Sequence, residues 1–301
     1  MAVTAKIDVK GNDILGSLRG LFKEILELED IHAILVPQHL PMKNMVMPTL
    51  VTDPDHLTGV DPLAPAFAMN AAKIVSRLTR KPMGGKIAAV LRPCEIRAFI
   101  ELVKLKQGRP DDLILIGIDC LGAFQNQDYF QYVVQNGAES TIRFFNAFLN
   151  GKTTEIDGID LSAACKACEY PIAASADIQI GLFGVEIDAH YLVQSQTDAG
   201  THILSQLNLT ELVEPAARRE AIRLLVERRT QYRDDMFAKT SETTDSLEKM
   251  TNYFATCVNC YNCRVACPVC YCRECVFVTD VFDHDPSQYL QWAEKKSGIK
   301  M

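Results

Sequence analysis

The sequence predicts an α/β fold that contains a parallel sheet, followed by a long helix and a small cysteine-rich module. Three observations support this prediction. Short apolar runs alternate with segments of helical periodicity through residues 1–210, which is typical of parallel strands covered by helices. Residues 215–239 form one charged amphipathic segment, and seven cysteines lie within residues 257–275.

Strands are predicted where apolar runs are too short for a buried helix, and helices where apolar residues recur at helical spacing. The predicted strands cover residues 31–36, 86–91, 113–119, 177–183 and 190–196. The predicted helices cover residues 14–28, 66–78, 95–105, 131–149 and 215–239. Pro37 is expected to end the first strand and to begin a loop that runs to about residue 65, and residues 197–200 are expected to form a turn.

These elements divide the chain into three parts. Residues 1–212 form the predicted α/β domain, residues 213–250 a helical connector, and residues 251–301 the C-terminal module and tail. The charges of the connector are interpreted as a solvated face. The connector is therefore expected to act as an arm that holds the C-terminal module away from the main domain.

Composition limits the function classes. The chain has 301 residues, 48% of them hydrophobic, and a net charge of −7, which argues against a nucleic-acid-binding surface. It shows no secretory signal and no apolar run long enough for a membrane span, so a cytoplasmic protein is expected. Thiols stay reduced in that compartment, and an odd total of eleven cysteines fits disulfide pairing poorly. Metal-ligand chemistry is the better explanation.

The C-terminal cysteines carry the sharper signal. Cys257, Cys260, Cys263 and Cys267, followed by Pro268, follow the spacing C-x2-C-x2-C-x3-C-P, which is typical of bacterial ferredoxins. A zinc site also uses four thiolates, but usually as two separated pairs. The run therefore predicts a [4Fe–4S] cluster.

Three further cysteines follow the run at once: Cys270, Cys272 and Cys275. Seven cysteines cannot supply two complete four-cysteine sites, and in two-cluster ferredoxins the fourth cysteine of such a run binds the other cluster. Cys267, Cys270 or Cys275 could complete the first site. One cluster with spare thiols, and two clusters with a shared or non-cysteine ligand, both stay open.

A second set of cysteines is dispersed along the α/β domain. Cys94 follows the predicted strand 86–91, and Cys120 follows the predicted strand 113–119. Because loops after parallel strands emerge at one edge of the sheet, which is where ligands usually bind, these two are expected to be neighbours. The pair Cys165 and Cys168 would complete a four-thiolate site. The alternative is that Cys94 and Cys120 are small buried hydrophobic residues.

Five segments in order give a family resemblance: residues 87–96, 113–121, 164–170, 176–184 and 196–200. They resemble the beta subunits of coenzyme F420-reducing hydrogenases and related formate dehydrogenases, and the likeness covers about residues 14–210. The resemblance implies one [4Fe–4S] cluster on Cys94, Cys120, Cys165 and Cys168, beside an FAD.

The same resemblance gives candidate flavin-binding residues: Pro93, Gly181, Gly184 and Thr197. The chain departs from the family pattern in reading Pro93-Cys94-Glu95 where Pro-Cys-Gln is usual. The electron carrier therefore stays open between coenzyme F420 and an NAD(P)-like molecule. No catalytic residue is assigned.

The cysteine pattern and the resemblance together imply an iron–sulfur flavoprotein subunit of an oxidoreductase, with two or three [4Fe–4S] clusters and, from the resemblance, an FAD. Its partners would be redox subunits of a hydrogenase, formate dehydrogenase or heterodisulfide-reductase-type complex. Two alternatives remain: an iron–sulfur relay without flavin, and a zinc-stabilised assembly subunit.

Overall fold

The structure, a computed structural model, describes residues 3–41, 44–82, 84–272 and 284–295. The strands are β1 Thr4–Asp8, β2 Ile31–His39, β3 Val46–Val51, β4 Lys86–Leu91, β5 Leu113–Ile118, β6 Glu155–Ile156, β7 Ile159–Asp160, β8 Ile178–Gly181, β9 His190–Ser195 and β10 Thr210–Glu211. The α-helices are α1 Ile14–Leu26, α2 Ala72–Leu78, α3 Pro93–Lys104, α4 Asn126–Asn136, α5 Ser140–Phe148, α6 Ala163–Lys166, α7 Asp198–Ser205, α8 Ala216–Thr244, α9 Leu247–Tyr253, α10 Asn262–Ala266 and α11 Pro286–Lys295.

The predicted α/β fold is confirmed. In the described part of the chain the main sheet has eight strands in the order β10-β1-β9-β8-β5-β4-β2-β3. The four strands β2, β4, β5 and β8 are parallel, and the flanking pairs are antiparallel. The carboxyl ends of β4 and β5 lie at the same edge, since Leu91 pairs with Gly117.

Both faces of the parallel strands are buried. On β4, Ala88 and Val90 belong to a hydrophobic cluster on one face, which also contains the buried side of α1. Ile87, Ala89 and Leu91 belong to a second cluster, formed with α2 and α3 on the other face. A strand that is buried on both faces has a continuous apolar sequence. Strands β4 and β5 could therefore be predicted from the sequence.

The region after β2 differs from the prediction. Strand β2 continues through Pro37 to His39 and pairs with β3, a strand inside the predicted loop. The pairing of β2 with β4 ends at Leu35, so Pro37 lies in the part of β2 that pairs with β3 but not with β4. Pro48 opposite it belongs to an edge strand, where a missing backbone donor is tolerated.

Three other predicted elements have different bounds. The helix predicted over residues 66–78 begins only at Ala72, because the Asn70 side chain accepts from the Ala72 amide at 3.0 Å and holds the preceding turn. The helix predicted over residues 131–149 is broken at Gly137, where φ is +55°. The turn predicted at residues 197–200 is the start of α7, and Thr197 is its N-cap.

The long helix is present as α8, but the interpretation of its charges as a solvated face is wrong at two positions. Arg218 is 1% exposed and Arg229 is 7% exposed. Both guanidinium groups point into the body of the domain, where Arg218 pairs with Asp119 at 2.6 Å. A buried charge needs such partners because desolvation is costly.

The chain forms two compact units, Met1–Val269 and Cys270–Met301. In the second unit, the ring of Trp292 on α11 packs edge-on against His284 and Tyr289. The domain boundaries predicted at residues 212 and 250 stay predictions. No helix among the residues that the structure describes is long and apolar enough to cross a membrane.

Candidate iron–sulfur site

A cavity of about 520 Å³ lies at the carboxyl edge of the parallel strands. Cys94, in the first turn of α3, and Cys120, just after β5, both line it. The two cysteines reach one site because β4 and β5 run parallel and end at the same edge. The expectation that they are neighbours is thus met by the fold.

The Cys-x2-Cys pair comes to the same cavity from a different direction. Cys165 lies in the short helix α6, which Ser162 caps, and Cys168 follows it; both line the cavity. The Cys120 amide donates to the Pro171 carbonyl at 2.8 Å and ties the two loops together. The structure therefore brings the four predicted cysteines to one cavity, and their role as ligands stays a prediction.

The four thiols surround the cavity; they do not converge on one point. Across residues 3–41, 44–82, 84–272 and 284–295, no three His, Cys, Asp or Glu side chains form a group that could hold a metal ion. A cubane cluster is a larger object that four separate thiolates hold. The chemistry of the donor set and the size of the cavity fit a cluster.

Burial makes these thiols weak acids in the apoprotein. Desolvation, with the nearby Cys120 and Glu95, raises the pKa of Cys94 well above its usual range. Desolvation also raises the pKa of Cys120, to about 11, and the Arg92 guanidinium partly offsets that rise. Because metal ligation requires the thiolate, any bound iron would need nearby cations to help compensate the charge in this cavity.

Arg92 supplies one such cation. Its side chain is buried beside Cys94 and Cys120, and its guanidinium donates to the Ala64 carbonyl at 2.8 Å and lies 5.5 Å from the Phe67 ring centroid. Burial alone would lower the pKa of Arg92, but the ionised forms of Cys120 and nearby groups raise it overall.

Helix α8 supplies the second cation and holds the Cys-x2-Cys segment in place. Arg229 donates from Nη2 to the carbonyls of Leu121 at 2.9 Å and Cys120 at 3.2 Å. One turn further along α8, the Tyr232 ring lies under the Lys166 ammonium group, and the Lys166 Nζ is 4.9 Å from the ring centroid. The neighbouring Arg233 forms an ion pair with Glu169. The connector is thus part of the wall of this site.

The C-terminal cysteine run has an unusual backbone. Cys257, Cys260 and Cys263 are exposed, and between them Asn259 and Tyr261 adopt left-handed conformations with φ of 52° and 57°. A positive φ is rare for a bulky residue such as tyrosine, and such strained positions concentrate at ligand clamps. The curled backbone suits the predicted cluster, although ligation by these cysteines stays a prediction. Cys275 lies outside the described residues.

The end of the run packs against the α/β body. Lys73 on α2 donates from Nζ to the Val265 carbonyl at 3.0 Å, and Val269 packs against the hydrophobic cluster around α2 and α3. Pro268 lines the cavity together with Cys94. The expectation that the connector holds this module away from the main domain is therefore wrong for residues 265–269, because apolar packing draws the segment back.

Comparisons with known proteins agree with this fold. Residues 84–219 match the sequence model for the C-terminal part of the family described as "Coenzyme F420 hydrogenase/dehydrogenase, beta subunit". Over this segment the chain is similar to that family. The matched segment contains all four cysteines of the cavity and ends ten residues before Arg229, so the C-terminal cysteine run lies outside it.

Two relatives and one solved structure extend the likeness along the chain. The beta subunit of F420-dependent formate dehydrogenase 1 from Methanococcus maripaludis is 23% identical, over 89% of this chain and 75% of the relative. The corresponding subunit from Methanocaldococcus jannaschii is 25% identical, over 89% and 76%. A chain of the F420-reducing [NiFe] hydrogenase complex from Methanosarcina barkeri, studied with xenon, has the same fold, with a TM-score of 0.54 and 17% identity over 82% of this chain and 94% of that chain.

The candidate flavin residues fall into two groups. Pro93 lines the cavity beside Cys94. Gly181 and Gly184 lie against Arg218, and a Cβ at Gly184 would come within 2.4 Å of the Arg218 Cα. Thr197 caps α7 and donates to Asp177 at 2.7 Å. Their roles in flavin binding stay predictions, and the contacts of the latter three give each a structural explanation.

We expect Gly184→Ala to lower the free energy of unfolding by roughly 1–3 kcal/mol, because a methyl group would meet the α8 backbone and φ is +67°. Denaturant unfolding measures this. Gly158→Ala is the matched control, since φ there is +77° and nothing lies within 4 Å of its Cβ. Equal losses in both variants would contradict a packing role for Gly184.

Two arginines and one proline complete the cavity wall and were not predicted as residues of this site: Arg92, Arg229 and Pro268. Arg92 and Arg229 could not be assigned to the site from the sequence, because charged residues are usually exposed. Their burial beside the cysteine loops is visible only in the structure. Pro268 carried a usable signal, since a proline that ends a ferredoxin-type run must lie close to a cluster. Its contact with the first cavity depends on tertiary packing.

Proposed function

We propose that this chain is an iron–sulfur electron-transfer subunit of a multi-subunit oxidoreductase. The observation that supports this best is the arrangement of four thiols, from three separate loops, around one cavity with two buried guanidinium groups in its wall. Packing and stability alone give no reason to place four cysteines and two arginines together, because buried charges are costly.

Cys94, Cys120, Cys165 and Cys168 would hold a [4Fe–4S] cluster in this cavity, and such a cluster supplies one-electron transfer when bound. The chain's own contribution is to fix the ligands and to exclude water. The loops at the ends of β4 and β5 are anchored by a sheet that is buried on both faces. Rigid anchoring would keep the positions of these four cysteines similar whether or not a bound cluster is reduced.

An FAD beside this cluster is the second part of the proposal. The resemblance in residues 84–219 supports it, as do relatives named for F420-dependent formate dehydrogenases. A bound flavin would exchange two electrons as hydride with a soluble carrier, coenzyme F420 or an NAD(P)-like molecule. Besides the cysteines, Phe67, Asn70, Gln125 and Asn126 line the cavity, which are aromatic and amide groups suited to hold a planar, hydrogen-bonding ring.

A second cluster on Cys257, Cys260 and Cys263, with Cys267 or a later cysteine as fourth ligand, would connect the first to a partner. The direct bond between Cys267 and Pro268 supports this relay, because Pro268 lies in the wall of the first cavity next to Cys94. The partner would be another redox subunit, as in the formate dehydrogenases and the hydrogenase complex of the relatives.

The partner is expected to contact the region of residues 251–301. Several aromatic side chains in the described part of this region are exposed, and aromatic residues are enriched at interfaces. They are Tyr253, Phe254, Tyr261, Tyr271 and Trp292.

A relay without flavin is the second candidate. Its specific support is that Gly181, Gly184 and Thr197 all have structural roles that need no flavin. Iron and flavin stoichiometry of the anaerobically purified chain separates the two. Bound FAD together with iron supports the flavoprotein, and iron without FAD supports the relay. A colourless protein that contains only zinc would overturn both.

We expect Cys260→Ala to remove the second cluster and to stop electron transfer to the partner subunit. Reduction of the first cluster should continue, because its cavity is formed by other residues. Stopped-flow absorbance with and without the partner measures both steps. Val258→Ala is the matched control, since Val258 is 82% exposed in the same loop and has no thiol. Full transfer in Cys260→Ala would contradict the relay.

A further inference from the structure

Two guanidinium groups from distant parts of the sequence line the cavity of the four cysteines. Arg92 ends the loop after β4 and forms the N-cap of α3, whereas Arg229 comes from the middle of α8. Both are more than nine-tenths buried and both line the cavity. Of the arginines on α8, Arg218 and Arg229 are buried, and of these two it is Arg229 that lines the cavity.

We propose that Arg92 and Arg229 form a buried cationic pair that raises the reduction potential of the first cluster, and that Arg229 is in addition the positioning residue for its ligand loops. This inference rests on the proposed function, because it requires a cluster on Cys94, Cys120, Cys165 and Cys168.

The electrostatic step follows from the charge of the site. A cubane with four thiolates carries net negative charge, and reduction adds one more electron to it. Two fixed positive charges in a water-poor wall stabilise the reduced form more than the oxidised form, because charge interactions are strong at low dielectric. Glu95 opposes them in part, because its carboxylate lies close enough to interact with the charge of Arg92 while it accepts from the amides of Ala71 at 2.9 Å and Arg92 at 2.8 Å. Among the described residues that line the cavity, however, the charged side chains are those of the two arginines, and no Asp or Glu is present.

The positioning step follows from the hydrogen bonds of Arg229. Its Nη2 donates to the carbonyls of Cys120 and Leu121, and its Nη1 reaches the Cys168 carbonyl at 3.5 Å. One planar side chain therefore spans the loop after β5 and the Cys-x2-Cys segment. Lysine carries the same charge but lacks the planar fork that contacts several acceptors at once. Charge and positioning can thus be separated by substitution.

The test is an EPR-monitored redox titration of the full-length chain, following the cluster signal that Cys168→Ala removes. We expect Arg229→Gln and Arg92→Gln each to shift the midpoint potential to more negative values. Arg228→Gln is the matched control, because it makes the same charge change at the adjacent, exposed position of α8. Arg229→Lys should keep a potential near that of the unsubstituted chain.

The rate of iron release to a chelator tests the positioning role separately. Arg229→Lys should release iron faster than the unsubstituted chain, by roughly 10-fold, as is typical when a residue that orients metal ligands is changed. Release at an unchanged rate would overturn the positioning role. Should Arg229→Gln retain no iron, Arg92→Gln and Arg229→Lys still decide the electrostatic role: the first must shift the potential and the second must not.

Potentials of Arg92→Gln and Arg229→Gln equal to that of Arg228→Gln would overturn the electrostatic role. In that case the proposed function would survive, provided that the unsubstituted chain shows the cluster signal. An unsubstituted chain without that signal would overturn both the proposed function and this inference.

Discussion

Cys168→Ala is expected to remove close to four iron atoms per chain. Cys168 lines the cavity with Cys94, Cys120 and Cys165, and a cubane that loses one of its four thiolates loses both a bond and part of its compensation for iron charge. Iron analysis of the anaerobically purified variant measures the loss, and EPR identifies which cluster signal has disappeared.

Ala167→Ser changes the neighbouring position without removing a thiol, and it should retain its iron. The double variant Cys168→Ala with Cys260→Ala should lose about eight iron atoms if the chain carries two independent clusters. Unchanged iron in Cys168→Ala would exclude a cluster in this cavity.

Arg218→Ala is expected to lower the free energy of unfolding by about 3–5 kcal/mol, the usual result of leaving a buried charge without its partner. Arg218 donates to Asp119 at 2.6 Å, and the Asp119 carboxylate also accepts from the Leu182 amide at 2.9 Å and from Gln179 at 3.2 Å. Without the guanidinium, this carboxylate would keep its backbone donor but lose its counter-charge. Chemical denaturation followed by circular dichroism measures the loss.

Arg223→Ala is the matched control on the same helix. Arg223 is exposed and pairs with Glu220 and Glu227, and exposed pairs contribute at most about 1 kcal/mol. A double-mutant cycle of Arg218→Ala with Asp119→Ala should show strong coupling. Losses that simply add, or a loss for Arg218→Ala no greater than for Arg223→Ala, would contradict a structural role for the buried pair.

The sequence was most informative where one physical rule dominates. Strands β4 and β5 are buried on both faces, so their apolar runs could be recognised, and parallel strands that end together placed Cys94 and Cys120 at one edge. Strands β1 and β3, which lie at or next to the two ends of the sheet, escaped prediction because each has only a few buried positions. Short strands in such places depend on their neighbours more than on their own residues.

The cavity wall was less predictable for a related reason. Hydrophobic periodicity finds the buried face of a helix only when that face is apolar, and part of the buried face of α8 is made of arginines. The sequence therefore favoured a solvated arm. Likewise, Gly181 and Gly184 matched a family pattern, but the pattern cannot distinguish a ligand contact from close approach to Arg218.

The spacing of the buried arginines on α8 has a consequence for how this chain can change. Arg218, Leu225 and Arg229 are buried on one helix, and the two arginines, eleven positions apart, differ by only about 20° around its axis. A single inserted or deleted residue between them would turn one relative to the other by about 100°. Arg218 could then no longer pair with Asp119 while Arg229 contacts the cysteine loops. Insertions and deletions in proteins that share this arrangement should therefore be absent between Arg218 and Arg229 and occur beyond Arg233.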